Sequence, residues 1–312
     1  MKRIKILLPY TLSFLLLLSF LTSCTTKKTY LQEEQTESKA VLIKHPERMF
    51  WEIKKDEASI YILGTIHVAD KDFYPLEDKI LEAFDKADKL VSELGGSEEM
   101  NTVQEKFQMK MLQNINLNPE KDLSNFLSQY EIDVVKQELG ENIAIPLFKF
   151  NPWILTVTLN HILYEKAGLD SQNGIDMHLI SRAEKRKIEA LESIDEQLEL
   201  LSSGTFNEQL KELKKTIEDL QNFDQTIDLL TKIKKLYLEN NDRDLKDFIN
   251  SLLDMSEGIS QDALLKNRNI AWAEKLENYL NEGGKTFVFA GLAHFLGEDS
   301  VFEQMRLKGI LE

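Results

Sequence analysis

Apolar positions along the chain follow two patterns, short continuous runs and stripes spaced three or four residues apart. The continuous runs predict buried strands at 58–64, 89–95, 187–193 and 285–291. The spaced stripes predict helices at 75–90, 174–186, 261–280 and 299–310, and residues 98–170 are also expected to be mostly helical. The first two strands with the helix between them form a βαβ unit, which predicts a parallel pair with a right-handed crossover.

A long charged stretch, about 195–255, separates the third predicted strand from the helix at 261–280. Apolar residues recur within it in steps of four and three, which predicts one buried helix face: Phe206, Leu210, Leu213, Ile217 and Leu220. We expect this stretch to form a helical lobe, folded as a hairpin and packed on the core. The predicted fold is therefore α/β, with a largely parallel or mixed central sheet flanked by helices and with a helical insertion lobe.

The N-terminus has the pattern of an export signal. Basic residues precede an apolar stretch at 6–21, which is short for a membrane span of roughly 20 residues. The stretch ends in Leu21-Thr22-Ser23-Cys24, which resembles the lipobox of bacterial lipoproteins, in which the cysteine is lipidated. An uncleaved anchor helix is the alternative interpretation.

The lipobox divides the chain into a signal peptide at 1–24, a polar tether at 25–48 and a folded domain at 48–312. We therefore expect an exported lipoprotein held to the membrane by lipid on Cys24. It would face the periplasm from the outer membrane in a Gram-negative host and lie on the cell surface otherwise. Cys24 is the single cysteine of the chain, so an intrachain disulfide is excluded.

Net charge limits the partners of this 312-residue chain. The formal charge is −15 and the isoelectric point is about 5.0, so the chain repels phosphate backbones and a nucleic-acid partner is not expected. Hydrophobic residues make up 42% of the chain, enough to bury a large α/β core.

Two predicted strands end in the same short motif. Gly64 is followed three residues later by His67, and Gly291 by His294 at the same offset. Because the carboxyl ends of parallel strands meet at one edge of a sheet, we expect the two histidines to converge there. Glu93 and Glu192 lie near the ends of the other two predicted strands.

Two imidazoles with one or two carboxylates are a plausible set of ligands for a divalent metal, with positions left for water and substrate. Without a metal, the same residues could act as general bases. A single Gly-x-x-His motif is also compatible with a histidine that is merely hydrogen-bonded in a turn.

Two further polar residues have open roles. Arg268 shares a helix face with Leu265, Trp272 and Leu276, so it should point inward, where it needs a carboxylate or a substrate anion. A buried structural ion pair and a site arginine are both compatible with that position. Asp176, at the start of a predicted helix, is expected to be an N-cap.

Several blocks occur in the order found in one known family: "IYILGTIHVADKDFYPL", "VSELG", "NGIDMHLISRAEKRKIEALESIDEQLELL", "RNIAWAEKL" and "FVFAGLAHFLGEDSVFEQMRLKGI". By these blocks residues 48–312 resemble the TraB/PrgY/GumN family, which also contains the Tiki membrane proteases. The chain is more distantly similar to erythromycin esterase-like and ChaN-like proteins. The resemblance implies an α/β fold with both Gly-x-x-His motifs at one site.

Tiki-like members are described as metal-dependent peptidases that use two histidines and a glutamate. Carried over, the resemblance implies His67, Glu93 and His294 as metal ligands or catalytic residues. Arg268 and Asn269 match the Arg-Asn block of the family and would lie next to the site. Asp176, Glu192 and Gln197 fall in the middle block without a defined role.

The sequence therefore predicts an exported, lipid-anchored, metal-dependent hydrolase of peptide or amide bonds, acting on a peptide or small molecule. His67, Glu93 and His294 would hold Mn, Co or Zn, and Glu192 would assist the attacking water. Arg268 would steady an anionic group of the substrate. Two alternatives remain: a non-catalytic surface lipoprotein that sequesters a peptide, and a metal-free, esterase-like hydrolase with His67 or His294 as general base.

Overall fold

The computed structural model describes residues 39–116, 118–254 and 265–312. The predicted signal peptide, Cys24 and most of the predicted tether lie outside the described residues. Six strands form one sheet: β1 (Val41–Lys44), β2 (Phe50–Lys55), β3 (Ala58–Thr65), β4 (Lys89–Ser92), β5 (Ile188–Ala190) and β6 (Lys285–Gly291). None of the helices in these three ranges combines the length and apolarity needed to cross a bilayer.

The sheet is mixed, as predicted, with strand order β1-β2-β3-β6-β4-β5. The pairs β1–β2 and β2–β3 are antiparallel, whereas β3, β6, β4 and β5 run parallel to one another. The carboxyl ends of these four parallel strands consequently lie at one edge of the sheet, and that edge carries both Gly-x-x-His segments.

Strand β6 occupies the centre of the sheet because it is the most apolar of the strands, with every residue after Lys285 buried. It inserts between β3 and β4. The predicted βαβ pair is therefore wrong in adjacency, although both strands run parallel to β6. A strand that arrives almost 200 residues later in the chain displaces the local pairing.

Helices surround this sheet. Their bounds are α1 (Asp78–Lys86), α2 (Ser97–Gln113), α3 (Gln129–Leu139), α4 (Glu141–Leu147), α5 (Pro152–Lys166), α6 (Ile175–Arg182), α7 (Ile194–Leu201), α8 (Phe206–Gln221), α9 (Phe223–Leu238), α10 (Asp242–Asp254), α11 (Asn267–Glu282) and α12 (Val301–Leu307). The structure thus has the predicted α/β class with a helical lobe.

The folded part begins earlier than predicted. Strand β1 lies within the segment assigned to the tether, where it pairs with β2 over its whole length. Ala40 is fully buried and bridges to Leu311 near the C-terminus. The boundary at residue 48 is corrected to about residue 40, because the apolar run of this four-residue edge strand is too short to stand out beside a polar stretch of sequence.

The charged stretch at 195–255 forms four helices, α7 to α10, rather than one hairpin. The predicted apolar stripe lies on α8 and packs against α5, with Leu213, Ile217 and Leu220 buried. In α9, Tyr237 is buried in the core beside the sheet. The lobe therefore bridges the sheet and the helices before it.

The last helix begins two residues later than the predicted start at residue 299. Ser300 is the N-cap of α12, and its hydroxyl accepts a hydrogen bond from the Glu303 backbone N–H. Gly309 follows the helix in the left-handed conformation (φ 74°), which ends the helix before the predicted limit at residue 310.

Candidate functional site

The two Gly-x-x-His segments pack against each other at the carboxyl edge of the sheet. A Cβ on Gly64 would lie 2.5 Å from Leu292 Cδ1, and a Cβ on Gly291 would lie 2.8 Å from His67 Nε2. Each glycine therefore makes room for the segment that contains the other one. This reciprocal fit explains why a buried strand ends on glycine just before each of the histidines, His67 and His294.

His67 is held from one side by a carboxylate. Its Nδ1 lies 2.7 Å from Asp176 Oδ2, while Asp176 Oδ1 accepts a hydrogen bond of 2.7 Å from the Thr65 hydroxyl. The other ring nitrogen, Nε2, lies 3.7 Å from Glu93 Oε2. Burial alone would lower the pKa of His67, but Asp176 and then Glu93 raise it to about 9.

Asp176 is a site residue and not the predicted N-cap. Gly174 is the N-cap of α6 and makes no side-chain capping bond. A Cβ on Gly174 would lie 2.3 Å from the His67 carbonyl oxygen, so the start of α6 lies directly against the His67 segment. The Ile175 backbone N–H donates to the Ile66 carbonyl at 3.0 Å. This contact places the first turn of α6, and with it Asp176, under the imidazole.

His294 is more deeply buried and has a neutral partner. It lies in a short 3-10 turn after β6, and its Nδ1 is 2.6 Å from Asn269 Oδ1. The amide nitrogen of Asn269 donates to the Asp299 carbonyl, so its oxygen accepts from His294 and Nδ1 carries the proton. The imidazole lies against Trp272 with ring centroids 4.0 Å apart. Burial and then the Arg268 charge lower the pKa of His294 well below its ordinary value.

The two predicted carboxylates meet at a shared cation. Arg268 Nη2 donates to Glu93 Oε1 at 2.7 Å and to Glu192 Oε1 at 2.6 Å, and Arg268 Nε donates to Glu192 Oε2 at 2.7 Å. The Gln197 amide bridges the same two carboxylates at 2.6 and 2.7 Å. The Gly291 backbone N–H lies 3.3 Å from Glu93 Oε2. The chain just after β4 and after β5 is thereby tied to α11 and to the second glycine.

The two carboxylates of this cluster are almost fully buried. Glu93 is 4% exposed and Glu192 is 7% exposed. Burial raises the pKa of Glu192, with Arg268 opposing that rise. The pKa of Arg268 is raised by both carboxylates against the effect of its burial. Of the two roles left open for Arg268, the buried ion pair is present, and it lies inside the predicted site.

The predicted metal ligands carry donor atoms of the types that bind a divalent cation. His67 Nδ1 and His294 Nδ1 are both engaged by oxygen atoms, which leaves each Nε2 as the free nitrogen, as in metal-binding histidines with an oriented outer partner. Within the described residues, however, no group of three or more His, Cys, Asp or Glu side chains lies at metal-binding spacing. The donor types fit a divalent metal, and the metal site stays a prediction.

Two residues of the site, which only the family resemblance had indicated, also stand out in the helix pattern. Gln197 lies in the buried stripe of α7 with Ile194, Leu198 and Leu201. Asn269 lies in the buried stripe of α11 with Trp272, Ala273 and Leu276. A polar residue at an apolar stripe position indicates a buried hydrogen-bonding task.

Comparisons with known proteins find relatives over most of the chain. The model of the TraB/PrgY/gumN family matches residues 49–311. An uncharacterized protein of Treponema pallidum (strain Nichols) is 35% identical over 96% of this chain and 91% of its own length. The uncharacterized protein YbaP of Escherichia coli (strain K12) is 25% identical over 79% of this chain and 87% of its own length. No solved structure matches the chain.

Proposed function

The chain belongs to the TraB/PrgY/gumN family, and we propose that it is a metal-dependent hydrolase of peptide or amide bonds. The observation that supports this most is the reciprocal packing of the two Gly-x-x-His segments, which brings His67 Nε2 within 3.7 Å of a Glu93 oxygen. His67, Glu93 and His294 are the proposed ligands of a divalent metal, Mn, Co or Zn. Such a metal, when bound, lowers the pKa of water and polarises a carbonyl.

The residues around the ligands supply orientation. Asp176 fixes the ring of His67 and Asn269 fixes the ring of His294, each through Nδ1, so that Nε2 is the nitrogen of each ring that would bind the metal. Arg268 and Gln197 both donate to Glu93 Oε1, at 2.7 and 2.6 Å, and so hold this carboxylate in place. We assign these four residues positioning roles.

Glu192 is the proposed proton acceptor for the attacking water. Burial raises its pKa, against the effect of the Arg268 charge, and a raised pKa makes a carboxylate a better proton acceptor. The low exposure of the cluster excludes bulk water, which strengthens every charge interaction with a developing oxyanion.

A metal-free hydrolase is the second candidate, and one observation favours it. The His67–Asp176 pair, backed by Thr65, has the arrangement of an oriented imidazole acid–base group. In that version Asp176 keeps His67 protonated at neutral pH, so His67 acts as general acid. Sequestration of a peptide without turnover is the third outcome that the test must separate.

The test combines metal content with cleavage in one preparation. The purified full chain is analysed for Mn, Co, Zn and Fe, and then incubated with a mixed-peptide library, with and without chelator, for reading by mass spectrometry. The proposal predicts bound metal and chelator-sensitive fragments that are both lost in His67→Ala and His294→Ala. Fragments that persist in chelator indicate the metal-free hydrolase, and peptide binding without fragments after each metal is added back indicates sequestration.

A matched control separates the ligands from general damage. His161→Ala changes an imidazole that lies on α5, away from the candidate site, and that faces its helix neighbour Glu165. We expect its metal content and turnover to equal those of the wild type. Loss in this variant as well would mean that the assay reports folding and not the site.

We also propose that the chain is exported and anchored by lipid on Cys24. The support is the basic, apolar and Leu-Thr-Ser-Cys order of residues 2–24. Cys24→Ser is expected to abolish labelling by radioactive palmitate and to leave the precursor uncleaved. Labelling that survives the substitution would contradict the anchor.

A further inference from the structure

A cavity of about 450 Å³ lies between the His67 segment and helix α9. This volume is within the range of small-molecule and side-chain pockets, roughly 300–1,000 Å³. Its walls are mainly apolar and come from three parts of the chain, including Ile66, Val68, Phe73, Leu169, Ile227 and Ile233. A larger depression on the lobe, between α3, α8 and α9, is lined mostly by charged residues and lacks such walls.

The cavity adjoins the proposed site through the chain itself. Ile66 and Val68, the two residues that flank His67, are both part of its lining and are both buried. A ligand that fills the cavity therefore contacts the two residues that hold the His67 backbone in place.

The wall opposite this segment is fixed in place. Lys234 of α9 pairs with Asp70 and Asp72, in each case with Nζ 2.6 Å from a carboxylate oxygen. The Tyr237 hydroxyl, one turn further, donates to the Gly64 carbonyl at 2.8 Å. Because α9 is tied down at these points, the cavity is preformed and needs no closure to exist.

The lining of the cavity also includes polar residues of both signs of charge. Asp70, Lys234, Lys235 and Glu239 all contribute to it, together with Thr231. An acyl chain needs an apolar interior and one headgroup contact, whereas a peptide presents alternating donors and acceptors along its backbone. A lining that combines apolar and charged residues matches a peptide that inserts apolar side chains.

We propose that this cavity is a specificity pocket for apolar side chains of a peptide substrate, on the assumption that the proposed hydrolase function holds. It assigns the substrate class as peptides with Leu-, Met- or Phe-type residues next to the cleaved bond. The pocket is selective because a polar side chain placed there would lose its water without gaining a partner.

The test fills the cavity and measures binding apart from turnover. Thr231→Trp and Ile227→Trp each place an indole at the lining, and Thr231 is exposed, so its replacement should leave the fold intact. Gln225→Trp is the matched control, because Gln225 is exposed on the same helix and is not part of the lining. All three are made in the full chain carrying His67→Ala and are reconstituted in lipid nanodiscs.

Calorimetry then compares three probes: acetyl-Leu-Leu-Phe-amide, acetyl-Ser-Asn-Ser-amide and dodecanoate, with empty nanodiscs as the blank. The apolar peptide should bind the parent, and both cavity-filling variants should weaken it by about tenfold or more, equivalent to 1.4 kcal/mol. The control should stay within about twofold of the parent, well below that change. Equal affinity for the apolar and polar peptides, or unchanged affinity in both filling variants, would overturn the pocket, as would binding of dodecanoate alone.

A cleavage arm keeps the two proposals distinguishable. With His67 restored, Thr231→Trp should lower kcat/KM for apolar peptides and leave that for polar peptides unchanged. If the wild type cleaves no peptide with any metal, the hydrolase proposal fails while the binding arm still decides the pocket. If the wild type cleaves peptides without apolar preference, the hydrolase stands and the pocket is wrong.

Discussion

Gly291→Ala is the sharpest single change that the structure offers. The added methyl would lie 2.8 Å from His67 Nε2 and 3.5 Å from Glu93 Oε2. The backbone of Gly291, with φ −48° and ψ 128°, accepts any L-residue, so the substitution acts through this contact and not through backbone strain. An ordinary contact needs several tenths of an ångström more than is present.

His67 has little freedom to yield. Its Nδ1 is tied to Asp176, so the ring must turn off that hydrogen bond or push Glu93 from Arg268. Overpacking of this kind costs about 1–3 kcal/mol of the free energy of unfolding. A displacement of the imidazole by ~1 Å should also lower turnover by about a hundredfold.

A double-mutant cycle isolates the contact. Urea unfolding is measured for the wild type, Gly291→Ala, His67→Ala and the double variant. The methyl should cost about 1–3 kcal/mol in the wild type and less than about 0.5 kcal/mol once the imidazole is gone, the level at which separate sites simply add. Equal costs in both backgrounds would refute the reasoning. Gly96→Ala is the matched control, since its Cβ would meet Ile188 at an ordinary 3.4 Å.

Three further outcomes follow from the buried contacts. Arg268→Met leaves two buried carboxylates without their cation and should lower the free energy of unfolding by about 3–5 kcal/mol in urea titrations. Tyr237→Phe leaves the Gly64 carbonyl without its donor and should cost about 1–3 kcal/mol by the same measurement. Asp176→Asn should lower the pKa of His67 from about 9 in metal-free protein, because the carboxylate that raises it most is gone and burial lowers it, as NMR titration would reveal.

The sign of the last effect sets its pH window. The charged pair stabilises wild-type protein fully below the ordinary histidine pKa of 6.5, and that contribution is lost as the pH rises through about 9. The difference in unfolding free energy between wild type and Asp176→Asn should therefore shrink between these values, and a constant difference would contradict the pair. For Arg268, the control is Lys106→Met, whose exposed pair with Asp195 should matter by less than about 1 kcal/mol.

Much of the fold was accessible from the sequence because its parallel strands are buried on both faces. Strands β3 and β6 carry continuous apolar runs, and their bounds agree with the prediction within one residue. The order of the strands could not be predicted from the sequence. Strand β6 lies between β3 and β4 although it is distant from both in the chain, and the hydrophobic pattern of a strand does not show which distant strand it pairs with. Strand β1 was missed because it is an edge strand of only four residues, none of them buried, and its apolar run from Val41 to Ile43 is too short to stand out beside a polar stretch.

The residues of the candidate site likewise differ in whether the sequence alone reveals them. Gly-x-x-His repeats and strand-end glutamates have local signatures, so His67, Glu93 and Glu192 could be placed at one edge of the sheet. Asp176 could not, because an acid in the first turn of a helix is far more often a capping or dipole-stabilising residue. Its role arises from Gly174, whose missing side chain lets α6 approach the His67 carbonyl, and that approach is a tertiary contact.

The two histidines share a motif, but the partner of His67 is charged and the partner of His294 is neutral. The number of buried carboxylates around the site explains this difference. Asp176, Glu93 and Glu192 bring three carboxylates to the region of His67, against the single guanidinium of Arg268. With neutral histidines this part of the site is short of positive charge, which a bound proton or a divalent cation would supply. At His294 the partner is Asn269, an amide that fixes the ring without adding a fourth buried carboxylate. An aspartate at position 269 would deepen the deficit, whereas the asparagine gives the same orientation at no further charge.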